Sequence, residues 1–319
     1  MNTPASGSTA ASSAILPLIL LAVGLLAATA VYAPGLSGPF FFDDIFNIQN
    51  NLHLRLTDLN APALQLAAFS TNTGPFQRPV SMLSFALNYY FFGEGAASFK
   101  AVNLGIHLIN GVLIFLLARL LLKLAVQRTD LAFLRHRAAL AAALIAALWL
   151  VHPINLTSIL YVVQRMASLS ALFVLLALLS YITGRLRFPK HRFQGILWFA
   201  AAVLFWACGL ASKENALLLP WYIFLIEWLF FYPLQPRPTF GVRLYTFAWL
   251  IVPLVGGLLY FAFHPGMFGY GGRTFTLTER LLTELRALWF YVSLILLPRP
   301  APLGIFHDDF PISASLLNP

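Results

Sequence analysis

Apolar runs close to twenty residues long, separated by short stretches where polar residues collect, dominate the chain. The first run, Ala14 to Tyr32, is followed by an interval from Pro34 to Lys100 that is too polar and too often broken by Gly and Pro to cross a bilayer. Six further runs follow: Val102 to Lys123, Ala138 to Leu150, Ala167 to Thr183, Gly195 to Ala211, Ala216 to Tyr232 and Leu244 to Phe263. A hydrocarbon core about 30 Å thick takes roughly 20 helical residues, so each run predicts a transmembrane helix, the shorter ones helped by their flanks. Within the first interval, Pro79 to Phe92 predicts a short helix lying along the interface. Leu281 to Leu297 differs, because Glu284 and Arg286 leave only Ala287 to Leu297 continuously apolar. It predicts a re-entrant or interfacial segment. The fold class expected is all-α and polytopic, a single domain over 1–319 with about seven spans and interfacial helices in the outer loops 34–100 and 264–319.

Composition agrees, with 60% hydrophobic and 10% charged residues and a mean hydropathy of +0.79. The net charge of +9 invites a nucleic-acid reading. Its placement argues otherwise. With a cytoplasmic amino terminus, the inner loops carry eleven basic residues from Arg119 to Arg243 against Asp130 alone. That asymmetry sets topology. Nine acids then fall outside, and only Glu227 lies within a span. Ala28-Thr29-Ala30 resembles a signal-peptide cleavage site, but no Lys or Arg precedes the run, so a retained helix is expected. Either way Asp43 lies outside the cytoplasm. Cys208 is the single cysteine, so an intrachain disulfide and a CxxC metal site are excluded.

Polar residues cluster on the outer side. Asp43 and Asp44 in GPFFFDDIFNIQNN are adjacent, so their side chains diverge and one is expected to enter a cavity while the other orients it. A carboxylate there accepts a proton or holds a cation, or else caps a helix. Both readings stay open. His152-Pro153 ends one helix and Gln164-Arg165 opens the next, while Lys213 and Glu214 occupy a tight turn. Arg165 and Lys213 together suit a phosphate at the membrane surface, although single cations at helix ends also snorkel to headgroups. Arg78, just before the short helix, is placed to reach the aspartates or a lipid phosphate. Arg273 lies in a Gly-rich loop without GK[ST], and His307 and Asp308 return to the outer face if Leu281 to Leu297 does not span. His152 lacks a second ligand at i+3 or i+4 and reads as a hydrogen-bonding or capping residue.

FFDDIFNIQNN, GPFQRPVSMLSFALNYYFFG, FKAVNLGIHLINGVLIF, VHPINLTSILYVVQRMASL, CGLASKENALLLP and PLGIFHDDFPIS occur in this order. Together they make the chain resemble the GT-C superfamily of membrane glycosyltransferases, in particular bacterial relatives of the transmembrane and tetratricopeptide-repeat-containing O-mannosyltransferases. The resemblance implies a GT-C-like bundle in the bacterial inner membrane with its active site facing the periplasm. It implies an inverting transfer of sugar from a polyprenyl-phosphate donor to a hydroxyl, on Ser or Thr of an exported protein. Asp43 matches the base and Asp44 its orienting neighbour, while Arg165 and Lys213 face the donor phosphate with Arg273 as a third. Arg78, His152, Gln164, Glu214, His307 and Asp308 complete the expected substrate-binding set. No cofactor is demanded, and a divalent metal near the aspartates is compatible but not required.

The family usually carries further spans and often a tetratricopeptide tail, so 1–319 is expected to be a fragment, a short form or a degenerate copy. Two rivals stand beside this reading: transfer to a glycan or lipid acceptor, and a non-enzymatic lipid-binding or transport protein. Transporters place ionisable groups near the midplane and show internal repeats, unlike this chain.

Overall fold

The computed structural model describes residues 7–71, 76–127, 137–234, 240–268, 272, 274–299, 303–304 and 310–315. The described residues are helical or irregular, with no strand among them. In chain order the helices are α1 (Gly7–Tyr32), α2 (Ala61–Ala68), α3 (Pro79–Phe92), α4 (Ala96–Ala125), α5 (Ala138–Val151), α6 (Leu156–Leu160), α7 (Arg165–Arg187), α8 (Arg192–Leu210), α9 (Leu219–Ile226), α10 (Phe240–Phe263) and α11 (Leu277–Leu296). Five helical stretches are long and apolar enough to cross a membrane, or six if α5 and the segment Pro153–Leu160 form one interrupted span. The protein is an all-α, multi-pass membrane protein. The last expected span, Leu244 to Phe263, lies inside α10.

The chain divides into two compact units, one of 1–151 with 158–250 and one of 152–157 with 251–319. In the first, α1, α4 and α5 pack through Leu21, Ala28, Tyr32, Leu104, Ala142, Ala146 and Leu150. Small residues let these helices approach, as membrane interfaces require. A Cβ on Gly24 would stand 2.9 Å from the Ala147 Cβ, and one on Gly111 would collide with Leu150. A second core of Leu124, Ala177, Tyr181, Ile182, Leu219 and Ile223 joins α4, α7 and α9. Glu227, the acid inside a span, is fully buried there. It accepts from Tyr181 Oη at 2.9 Å and from Arg185 Nε at 2.9 Å, which neutralises it.

Along α4, Lys100, Asn103, His107 and Asn110 are spaced three or four apart and so share one buried face. Their partners are backbone carbonyls, those of Leu150 and Ile159 lying at helix ends. His107 Nε2 meets Leu150 O at 2.9 Å, Asn103 Nδ2 donates to Ile159 O at 3.2 Å and Asn110 Nδ2 donates to Ser168 O at 3.0 Å. Irregular backbone at membrane depth persists only with such internal partners.

The second unit is built on α11. Thr276 caps it through a reciprocal capping box with Glu279, so the helix begins at Leu277, before the expected Leu281. The helix packs on the chain's last described segment: Arg286 Nη1 donates to Ser313 Oγ at 2.7 Å, and Phe290 meets Phe310 edge-on.

Candidate functional site

Residues 38–51 form a connecting loop with one wide helical turn at Ile45–Gln49, pinned to the residues just before α7. Phe42 has a positive φ of 55°, a conformation that costs a bulky residue on the order of 1–3 kcal/mol and persists only where its surroundings enforce it. The enforcing contacts flank it. The Phe41 ring stacks on Tyr161 with centroids 4.9 Å apart. Asp44 is fully buried and accepts from Val163 N at 2.7 Å and Val162 N at 3.2 Å. A carboxylate facing the open N–H groups of a helix start is well placed for the helix dipole. Burial nonetheless raises the Asp44 carboxyl above the usual range, against those backbone N–H groups and the Lys100 charge.

Asp44 therefore staples the loop, and Asp43 is the exposed member of the pair. The Asp43 N–H donates to Tyr161 Oη at 3.1 Å. Below the loop, Tyr89 Oη donates to Ile48 O at 3.1 Å, and Ile48, Leu54, Met82, Phe85, Phe99 and Met166 close a core around it.

A second cluster forms where α3 meets the turn after α8. The proline at 79 bars Arg78 from the α region, and Arg78 adopts φ 49° after Gln77 at 53°, with Pro79 at the first position of α3. Val80 N donates to Ala211 O at 3.0 Å and Ser81 Oγ to Ser212 O at 2.9 Å. These bonds fix the register in which Arg78 grips Glu214 with both nitrogens, at 2.9 Å and 3.2 Å. Arg78 Nη1 also contacts Met166 Sδ at 3.4 Å. Met166 lies three residues beyond Val163, about 5 Å along a helix, so both clusters share one end of α7. Arg78 is thus held by Glu214 rather than by the aspartate pair.

Lys213, beside that pair, is half-buried, and its ammonium makes no hydrogen bond or ion pair with another described residue. Burial, then the Arg78 charge, lower its pKa, with Glu214 opposing. Arg78→Lys removes the bidentate fork, and Glu214→Gln leaves two cations facing each other. Each is expected to cost about 1 kcal/mol, a fall of roughly 2–4 °C in a detergent melt.

Arg165 corrects an expectation. It is completely buried and donates from Nε to Asn103 Oδ1 at 2.7 Å, from Nη1 to Ser84 O at 3.1 Å and from Nη2 to Asn88 Oδ1 and Phe99 O, both at 2.8 Å. Phe85 and Phe99 cover its faces. It ties α3, α4 and α7 together and presents nothing to a ligand.

His152 caps the turn that follows it: Ile154 N donates to Nδ1 at 3.2 Å, and Nε2 meets Ile295 O at 3.0 Å. That is the capping role its spacing suggested. Gln164 is half-buried just before α7, its carbonyl accepting from Ser168 Oγ at 3.4 Å. Arg273, His307 and Asp308 lie outside the described residues. Sequence reasoning passed over Tyr161, Asn88, Asn103 and Lys100. The four polar residues at helical spacing in the apolar run of α4 are the signal that marks that face. Asp44 spends both oxygens on backbone N–H groups. Among the described residues no three His, Cys, Asp or Glu side chains converge.

The described site has an exposed carboxylate and a free ammonium at one end of a membrane helix. Curated proteins with matching sequence share a name. The chain is similar to protein O-mannosyl-transferases. It is 30% identical to human (Homo sapiens) protein O-mannosyl-transferase TMTC4 over 204 residues, 62% of this chain and 27% of that protein. It is 32% identical to the mouse (Mus musculus) TMTC4 over 197 residues, 58% of this chain and 26% of that protein. Human protein O-mannosyl-transferase TMTC3 is 28% identical over 206 residues, 62% of this chain and 20% of that protein. The matched region thus spans about a quarter of the relatives' length. No protein-family model matches the chain, and no solved structure matches it.

Proposed function

We propose that the chain is a membrane glycosyltransferase domain that moves a sugar from a polyprenyl phosphate to a Ser or Thr hydroxyl of an exported protein. The observation that carries this reading is the separation of the two aspartates: Asp44 is consumed in holding the loop, and Asp43 is set outward on it. The similarity to protein O-mannosyl-transferases supports sugar transfer to protein, with mannose the first sugar to test.

In this reaction the Asp43 carboxylate takes the proton of the acceptor hydroxyl. The hydroxyl oxygen attacks the anomeric carbon, and the bond from that carbon to the phosphate oxygen breaks. One displacement inverts the anomeric centre. The departing polyprenyl phosphate needs positive charge, which Lys213 supplies while Arg78 is partly neutralised by Glu214. The eleven basic residues of the inner loops support a site on the opposite, outer face, which this reading assigns to the periplasmic side of a bacterial inner membrane. Nucleotide sugars are absent there, and a lipid-borne donor meets a site at the end of a span.

The test uses the chain in nanodiscs with labelled mannose, supplied either as a polyprenyl phosphate or as a nucleotide sugar. Transfer from the lipid donor alone is expected; transfer from the nucleotide sugar alone would overturn the donor assignment. A pH series examines Lys213. A depressed lysine loses its charge below the ordinary lysine range, so kcat/KM for the lipid donor is expected to fall on the alkaline side before pH 10.5. Lys213→Arg keeps its charge there and is expected to remove that limb.

A further inference from the structure

We infer that Tyr161 is the positioning residue of Asp43, its hydroxyl holding the Asp43 backbone in the orientation from which the carboxylate works. The inference rests on the proposed reaction above and adds a residue to it. Around Asp43, three successive attachments reach the same short stretch: the Phe41 ring on the Tyr161 ring, the Asp43 N–H on the Tyr161 oxygen and the Asp44 carboxylate on the next two backbone N–H groups. Tyr161 is only 5% exposed, so its hydroxyl is fixed by packing before any substrate arrives.

The hydrogen-bond inventory of a phenol then decides its second role. Its oxygen already accepts the Asp43 N–H, and the remaining O–H has one proton to give. The charge of Asp43 acts on this phenol, and an ionised carboxylate is acceptor only. The O–H is therefore available to Asp43, and the bond from the Asp43 N–H to the same oxygen sets the backbone from which the carboxylate meets the incoming hydroxyl. Burial, followed by the charges of Asp43 and Asp44, pushes the phenol up to about 12, so it remains a donor throughout the working range. Phe42 adds the constraint from the other side. Its left-handed backbone turns the chain just before Asp43, and without the grip of Tyr161 on residues 41 and 43 that conformation has less to enforce it.

The experiment compares Tyr161→Phe and Tyr161→Leu with wild type and with Asp43→Asn, all in nanodiscs with labelled polyprenyl-phosphate mannose. Tyr161→Phe keeps the ring that stacks on Phe41 and removes only the hydroxyl. It is expected to lower kcat about 10- to 100-fold, as loss of orientation does, with donor KM unchanged and a melting temperature near wild type. Tyr161→Leu, which also loses the ring, is expected to lower melting temperature and kcat together. A Tyr161→Phe enzyme with wild-type kcat, or with losses that only track its melting temperature, overturns the inference. If Tyr161→Phe unfolds, 3-fluorotyrosine at position 161 keeps the shape and alters the donor. A change in kcat without a change in stability then supports the role, and no change overturns it. Should Asp43→Asn transfer sugar like wild type, the failure belongs to the proposed base. If Asp43→Asn is inactive and Tyr161→Phe is normal, only the positioning role fails.

Discussion

Asp43→Asn is expected to lower sugar transfer by about 10²- to 10⁴-fold, the span typical of losing a general base, while the protein keeps its yield and melting temperature. The side chain is exposed, and Asn preserves its volume, so nothing in the packing changes. Asp44→Asn is expected to do the opposite. It replaces an acceptor that serves Val162 and Val163 with an amide whose NH₂ faces one of those donors. That costs about 1–3 kcal/mol, and activity falls with the amount of folded protein. Melting temperature and specific transfer, measured side by side on the two variants, separate these outcomes. Two neighbouring aspartates with the same phenotype would contradict the division of labour.

The second large effect concerns stability. Arg165→Met removes the donors that Asn88 Oδ1, Asn103 Oδ1, Ser84 O and Phe99 O use. The buried Asn88 Oδ1 and Asn103 Oδ1 then lose this donor, while Ser84 O and Phe99 O keep only their places in the α3 and α4 ladders, and the expected cost is about 3 kcal/mol. Lys does not rescue it, since an ammonium cannot reproduce the planar fork that reaches three helices at once. The prediction is checked by detergent melts and by the fraction of monodisperse protein. Arg165→Met with a wild-type melt would show that the network contributes little.

The contrast between these residues explains what could be read along the chain. Pro79 to Phe92 was legible to the residue, because Pro opens that helix and Gly93, at φ 74°, ends it. The long apolar runs were legible within a few residues at most ends, although α1 starts at Gly7 and α4 at Ala96, well before the expected Ala14 and Val102. The span after Ala216 was less regular than its hydropathy suggested: only Leu219–Ile226 is α-helical, between tighter and wider turns. The role of Arg165 was not legible. A cation at the end of an apolar run looks like a headgroup anchor, and only the fold brings Asn88 and Asn103 from two other helices to it. Adjacency showed that the two aspartates part company, but not which one turns outward. That choice depends on the backbone of Phe42 and on a helix start 118 residues away. Arg78 and Glu214, 136 positions apart, met for the same reason.

The most direct test of the central claim is the chemistry of the product. Membranes containing the chain, or its Asp43→Asn variant at equal level, receive labelled polyprenyl-phosphate mannose together with an exported acceptor protein rich in Ser and Thr. The account predicts label on the protein that mild alkali releases by β-elimination, and its loss in the variant. Label confined to lipid or glycan, or equal label with both proteins, would contradict it.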